Sequence, residues 1–209
     1  MRTMRIVPRV FIAAALVVSA TACGDVVRSS RAPVILVMDS LTATRGTSQG
    51  GTAAANLVSD VLTIVTSGGT CTQANPCPTI FGDTGTVTLS LAAKDINTPT
   101  GLTSNNQVTV NRIHVSYRRT DGRNTEGVDV PFGFDTASTI TVPITGNATT
   151  SFILVRNSAK QEPPLVQLVN NGQTITAIAD VTVFGADIVG NAVSVTGSIG
   201  VTFGNFGDQ

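Results

Sequence analysis

The chain has 209 residues, of which 12% are charged and 4% aromatic, and it contains no tryptophan. Its 13 Lys and Arg balance 13 Asp and Glu, so it lacks the strong basic excess typical of nucleic-acid binding, and we expect no nucleic-acid partner. The scarcity of aromatic rings also argues against a surface that stacks sugars. The abundant Thr and Val favour sheets, whereas Gly and Asn favour turns.

The first 22 residues have the three-part layout of a secretory signal. Three arginines precede an uncharged, mostly apolar stretch at 10–20, and small residues follow at 20–22. A membrane-spanning helix needs about 20 apolar residues, so this stretch is too short to cross a bilayer. We therefore predict that residues 1–22 are a signal peptide that is removed.

Cys23 follows the leader directly, in the stretch ATAC at 20–23. This stretch resembles the lipobox of bacterial envelope lipoproteins, although Ala20 stands where that family most often has Leu. The resemblance implies acylation of Cys23 and cleavage just before it, which would anchor the protein to a membrane. In the enterobacterial members an Asp after the cysteine favours the inner membrane, so Gly24 favours the outer one.

An ordinary A-x-A cleavage site at 20–22 is the alternative, and it would give a secreted or soluble periplasmic protein. In either case we divide the remaining chain into a tether at 23–32 and a single domain at 33–209. Three of the 13 Lys and Arg lie in the leader, so ten basic and 13 acidic residues remain, a net charge of −3.

Segments rich in Val, Ile and Thr recur at roughly ten-residue intervals after the tether and predict strands. At 54–62 a short helix is the weaker alternative. The predicted strands cover residues 33–38, 56–66, 86–95, 107–117, 138–145, 150–157, 165–169, 173–184 and 187–203.

The strand at 107–117 contains an irregularity. Val108 and Val110 share one parity, whereas Ile113, Val115 and Tyr117 share the other. An apolar face cannot change sides in a regular strand. We therefore predict a β-bulge near Asn111 and Arg112, where one extra residue resets the alternation.

Two tight hairpins are predicted from turn residues. Asn170-Asn171-Gly172 separates the strands at 165–169 and 173–184, and Gly190-Asn191 divides the last segment. The pattern predicts an all-β fold, an antiparallel two-sheet Ig-like sandwich of about 8–9 strands. An up-and-down barrel is the alternative, but it would favour more uniform hairpins.

Cys71 and Cys77 enclose a short loop that contains Asn75-Pro76. An exported protein reaches an oxidising compartment, so we predict a structural disulfide between them. A redox pair would favour C-x-x-C spacing, and a metal site would need more soft ligands than the single histidine, His114, can add.

Residues 117–135 concentrate charge in a chain that is otherwise poor in it. One interpretation is a hairpin tip whose charges pair with one another, and the frequency of surface ion pairs favours it. The other is a recognition loop for a partner protein or an anionic polymer. The candidate recognition residues are Arg118, Arg119, Asp121, Arg123, Glu126 and Asp129.

The sequence contains no recognisable catalytic or metal-binding motif. His114 lies among polar neighbours without an evident nucleophile, and we expect it to be solvated. Calcium loops need closely spaced carboxylates, whereas Asp83, Asp95, Asp180 and Asp187 are dispersed. Asp180 and Asp187 fit solvent-facing or edge positions. We predict no metal, no cofactor and no enzymatic activity.

These features predict a lipid-anchored envelope lipoprotein that acts as a structural or protein-interaction module. Its partners would be the membrane, through Cys23, and a protein of the envelope. One alternative is a periplasmic carrier or chaperone of apolar cargo, with a cavity between the sheets. A hydrolase with an unrecognised site is the weaker alternative.

Overall fold

A computed structural model describes residues 31–95, 97 and 101–207. The predicted signal peptide and Cys23 lie outside these residues. The described chain is all-β, with three short helical segments, η1 (Ser104–Asn106), α1 (Asn157–Lys160) and η2 (Leu165–Leu168). The strands are β1 (Val34–Thr44), β2 (Ala53–Ala54), β3 (Asn56–Asp60), β4 (Thr63–Val65), β5 (Cys77–Thr79), β6 (Asp83–Ala93), β7 (Val108–Arg118), β8 (Phe134–Val142), β9 (Asn147–Val155), β10 (Ile175–Asp187) and β11 (Ala192–Gly204).

The long strands form two sheets. One sheet has the order β2-β1-β6-β9, and the other has the order β3-β11-β10-β7-β8, while β4 and β5 form a small separate pair. The described pairs are antiparallel apart from β3 and β11, which run in parallel with Leu57 opposite Val201. The prediction of a fully antiparallel sandwich is therefore wrong at this edge of the sheet. Here β3 pairs with β11, which is distant in sequence and runs in the same direction.

Alternating side chains from both sheets form one hydrophobic cluster. In β10, for example, Ala179, Val181 and Val183 are fully buried, and the residues between them are partly exposed. Ala32 also belongs to the cluster, so packing begins one residue before the predicted start of the domain.

The predicted bulge is confirmed in β7. The register against both neighbouring strands shifts between Val110 and Arg112. Val110 on one side of the shift and Ile113 on the other are both fully buried. The extra residue thus keeps both apolar runs on the same face of the sheet.

The prediction of a strand at 165–169 is wrong. This segment contains the 3₁₀ helix η2, in which Leu165 and Leu168 are buried. A 3₁₀ helix has three residues per turn, so this spacing places both side chains on one face. The predicted hairpin at 170–172 is consequently absent from the described strand pairs, whereas the one at 190–191 joins β10 to β11.

The strands define two ends of the domain. At one end β1 begins at Val34 opposite Ala93, and β10 finishes at Asp187 opposite Val108. Residues 143–146 connect β8 to β9 at this end and so link the two sheets. We call it the entry end; it comprises segments 31–33, 94–95, 101–107, 143–146 and 188–191. The distal end comprises segments 45–52, 61–82, 119–133, 156–174 and 205–207.

The predicted disulfide is present at the distal end. Cys71 and Cys77 are bonded, with their Cα atoms 5.4 Å apart. Inside this loop Thr72 and Asn75 exchange two backbone hydrogen bonds of 3.0 Å. The bridge therefore closes a turn that already has its own hydrogen bonds.

Candidate functional site

The six candidate recognition residues lie at or beside the distal segment 119–133. Arg118 ends β7 and pairs with Asp180 on the neighbouring β10, with Nε 2.6 Å from a carboxylate oxygen. Its hydrogen bond to Asp180 raises the pKa of Arg118 above its ordinary value. Arg118 is thus held against the sheet and not within the loop. Asp180 also accepts a hydrogen bond from Ser198, so this predicted solvent-facing residue joins three strands.

Asp121 binds two arginines of the loop. Arg119 donates to both of its carboxylate oxygens, at 3.1 and 2.6 Å, and Arg123 donates through Nε at 3.2 Å. These donors, Arg119 first, lower the pKa of the Asp121 carboxyl to about 2. The three charges therefore form a compact local cluster on the exposed tip.

Glu126 and Asp129 bind the backbone of their own loop. Glu126 accepts a hydrogen bond of 3.0 Å from the Gly133 amide, and Asp129 accepts one of 3.3 Å from the Thr125 amide. Both carboxylates thus stabilise the shape of the loop.

The second half of the loop is also ordered by its backbone. The carbonyl of Thr125 accepts the amides of Val128, Asp129 and Val130, and Gly127 donates to the Val130 carbonyl at 2.8 Å. The side chain of Val130 is fully buried. The buried Val130 side chain and the repeated hydrogen bonds thus give this segment a defined conformation.

This segment exposes two apolar side chains that were not among the predicted recognition residues. Val128 is 67% exposed and Phe132 is 47% exposed. Gly127 has a φ of +75°, and a β-carbon there would lie 2.5 Å from the Phe132 ring. The sequence does contain an indication of this apolar surface: in GVDVPF at 127–132, apolar residues interrupt the charged segment.

A buried ionic cluster lies at the same distal end. The Lys160 ammonium nitrogen is 2.9 Å from Asp83 Oδ2 and donates to the Asp60 carbonyl at 2.8 Å. Asp83 also accepts the Ser59 hydroxyl at 2.6 Å and the Gly46 amide at 2.9 Å. Burial lowers the pKa of Lys160, and the charge of Asp83 opposes that effect.

A cleft of about 340 Å³ lies beside the ionic cluster. Its wall includes Arg45, whose guanidinium binds the buried Asp60 carboxylate, and Thr63, which donates to the same carboxylate at 3.1 Å. The rest of the wall comes from segment 47–52. The charges of Arg45 and Asp60 are therefore paired, whereas Arg45 Nε and Thr47 Oγ1 are buried there with no hydrogen-bond partner among the described residues.

His114 lies on the outer face of the five-stranded sheet. Its Nδ1 atom is 3.1 Å from Asp135, which also binds Arg112 at 3.1 Å. All three side chains are substantially exposed. The histidine thus has a carboxylate partner, Asp135. The sequence did not indicate this pairing, because the two residues are 21 positions apart.

Asp187 differs from the expectation of a solvent-facing or edge position. Its side chain is buried and accepts two hydrogen bonds of 2.7 Å from Asn191, one from the amide and one from Nδ2. Among the described residues no group of three or more His, Cys, Asp or Glu is placed to hold a metal ion. Within the same residues, no helix is long and apolar enough to cross a bilayer.

Comparison of the chain with models of protein families finds no match, and comparisons with the curated proteins and with the solved structures find none either.

Proposed function

We propose that the protein is a lipid-anchored bacterial envelope lipoprotein, held in the outer membrane, whose domain acts as a non-enzymatic module for binding another envelope protein. The single observation that carries this proposal is that the start of the described chain and loop 119–133 lie at opposite ends of the domain. The described chain enters at one end, and the preorganised loop 119–133 lies at the other. A domain that is tethered at the entry end presents this loop away from the bilayer.

We further propose that the domain is an Ig-like sandwich. The order β1-β6-β9 corresponds to strands A, B and E of that architecture, and β11-β10-β7-β8 corresponds to G, F, C and C′. The single hydrophobic cluster supports the packing of the two sheets against each other.

Loop 119–133 has the mixed chemistry of a protein-binding surface. Protein interfaces combine apolar and aromatic anchors with arginine and a polar rim. Here Val128 and Phe132 supply the apolar part, and Arg123, which is 62% exposed, supplies the charged part. Its internal hydrogen bonds lower the entropy that binding would otherwise cost.

The carrier alternative receives less support. A carrier would need space for cargo between the sheets. The inward-facing Val87, Leu89 and Val181 are instead fully buried and belong to one continuous cluster. The packing thus favours the interaction module.

The anchor is tested by growing cells with an alkyne-bearing fatty acid and measuring the label on the purified protein. The wild type should be labelled, and Cys23→Ser should lose the label. The double variant Cys71→Ser/Cys77→Ser is the matched control, because it removes two cysteines and should keep the label. Label on Cys23→Ser equal to that of the wild type would contradict the anchor.

The interaction is tested by cross-linking in living cells, followed by identification of the captured envelope proteins. The triple variant Arg118→Gln/Arg119→Gln/Arg123→Gln should capture at least several-fold less partner than the wild type. Arg112→Gln is the control, because Arg112 is also an exposed arginine paired with one aspartate. Equal capture by the triple variant and the control would eliminate the loop as the binding surface.

A further inference from the structure

We propose that the hairpin tip formed by Ile188 and Val189 inserts into the bilayer as a second membrane contact. This inference rests on the proposed lipid anchor at Cys23. It assigns to the entry end a membrane-facing role, while the distal loop remains available to a partner.

The tip is apolar and structurally well defined. Ile188 is 65% exposed and Val189 is 74% exposed. Asp187 donates its amide to the Asn191 carbonyl at 3.0 Å and accepts the Gly190 amide at its own carbonyl at 3.0 Å. Together with the two bonds from Asn191 to the Asp187 carboxylate, these contacts hold the turn so that both apolar side chains project outward.

The tether limits how far this tip can be from the bilayer. Eight peptide units separate Cys23 from Arg31, and a fully extended chain spans at most about 3.6 Å for each, or about 29 Å in all. The described chain begins at the entry end, which also carries the tip. Acylation of Cys23 would therefore leave Ile188 and Val189 within reach of the membrane surface.

The loops of the entry end are suited to a membrane interface. Three of its five segments, 101–107, 143–146 and 188–191, contain no Asp, Glu, Lys or Arg, so their approach to lipid removes no side-chain charge from water. The charged residues of the entry end, Arg31, Lys94 and Asp95, lie in the other two segments. The distal segment 119–133, in contrast, holds five charged residues, Arg119, Asp121, Arg123, Glu126 and Asp129. The uncharged segment 188–191 and its two uncharged neighbours thus favour the bilayer, and not a second protein, as the occupant of the tip.

Two aliphatic side chains would bind lipid only weakly by themselves. Attachment through Cys23 raises their effective concentration at the bilayer, so a weak second contact becomes populated. Its consequence is orientation, because a domain held at two points cannot rotate freely about its tether.

The test uses the full-length, processed protein in vesicles of phosphatidylethanolamine and phosphatidylglycerol. Val189→Cys carries an environment-sensitive fluorophore. Val128→Cys is the matched control, because Val128 is a similarly exposed valine at the distal end. Ile188→Cys provides a second position in the tip. The expected result is at least a twofold rise in emission at 188 and 189, quenched by spin-labelled lipid, with no change at 128.

The outcomes separate this inference from the proposed function. If the mass of the amino-terminal peptide shows acylated Cys23 but the probes at 188 and 189 stay in water, the tip contact is refuted and the anchor stands. An equal response at 128 would mean nonspecific adsorption and would also refute it. If the tip probes respond only in membranes that contain envelope proteins, a protein partner replaces the bilayer. Absence of acylation would overturn the proposed function and the inference together.

Discussion

The ammonium nitrogen of Lys160 lies 2.9 Å from Asp83 Oδ2, and neither side chain is exposed to solvent. Lys160 follows β9 in the helix α1, whereas Asp83 begins β6. The pair thus joins the end of one strand to the start of its neighbour. Because a buried charge is costly without its partner, the two residues should be strongly coupled energetically.

The variant Lys160→Met should lower the free energy of unfolding by about 3–5 kcal/mol, because it leaves the Asp83 carboxylate buried without its counter-ion. The double variant Asp83→Asn/Lys160→Met should recover much of this loss, since neither residue then carries a charge. Urea unfolding at neutral pH measures both effects.

Lys94→Met is the control for loss of a lysine, because Lys94 is exposed. It should change the free energy of unfolding by less than about 1 kcal/mol. A Lys160→Met loss no larger than that of Lys94→Met would show that the buried pair contributes little.

Asp121 should make stability depend on pH in the acid range. Its arginine partners lower its pKa from the ordinary value of 3.8 to about 2. A carboxyl whose folded pKa is depressed adds stability above its unfolded pKa, and this contribution is lost as pH falls through the folded value. We therefore expect Asp121 to contribute to the loss of stability between about pH 4 and pH 2.

Unfolding by urea across this range measures the slope of stability against pH. Asp121→Asn should have a shallower slope than the wild type. Identical slopes for the wild type and Asp121→Asn would contradict the assignment.

Some features that follow from local sequence were predicted well, but the single strand predicted at 56–66 is wrong, because the chain there forms β3 and β4 in different sheets. Strand alternation and the change of parity around Asn111 depend on neighbouring residues, so the order of apolar and polar residues is sufficient to locate the bulge in β7. The segment LVQLV at 165–169 could not be decided in this way. Its apolar residues suit a strand, but Leu165 and Leu168 are also three residues apart, and packing at the distal end selects the 3₁₀ helix.

Features that depend on distant contacts were missed. Nothing near Lys160 in the sequence indicates that its charge is buried against Asp83, 77 positions away. The charge-rich loop was identified as a candidate site because its charges are close in sequence. Its exposed Val128 and Phe132 were overlooked because their exposure depends on how Val130 anchors the loop.

The disulfide between Cys71 and Cys77 should stabilise the distal end by restricting the unfolded chain. For a loop of this length the chain-entropy relation gives about 2.4 kcal/mol. Cys71→Ser/Cys77→Ser should therefore lower the free energy of unfolding by about that amount. Urea unfolding of the wild type with and without a reductant provides the comparison.

The reductant should lower wild-type stability to the level of the double variant and should leave the double variant unchanged. If the double variant is less stable but the reductant does not change the stability of the wild type, the serines, and not the loss of the bridge, cause the effect.

Gly127 and Gly122 separate two contributions to the shape of loop 119–133. Both have positive φ, +75° at Gly127 and +82° at Gly122, but only at Gly127 would a β-carbon meet another residue, the Phe132 ring. An L-residue in this conformation costs about 1–2 kcal/mol. Gly122→Ala should therefore show this backbone cost alone.

Gly127→Ala should show the same cost and also displace the Phe132 ring, for a further loss of about 1–3 kcal/mol if the loop cannot yield. If the loop yields instead, the stability loss will match that of Gly122→Ala, and hydrogen exchange at the Val128, Asp129 and Val130 amides will rise in Gly127→Ala alone. Either result would support a loop whose surface depends on close packing at Gly127. Equal stability together with unchanged exchange in the two variants would contradict it, because Phe132 would then have moved without disturbing the segment that it packs against.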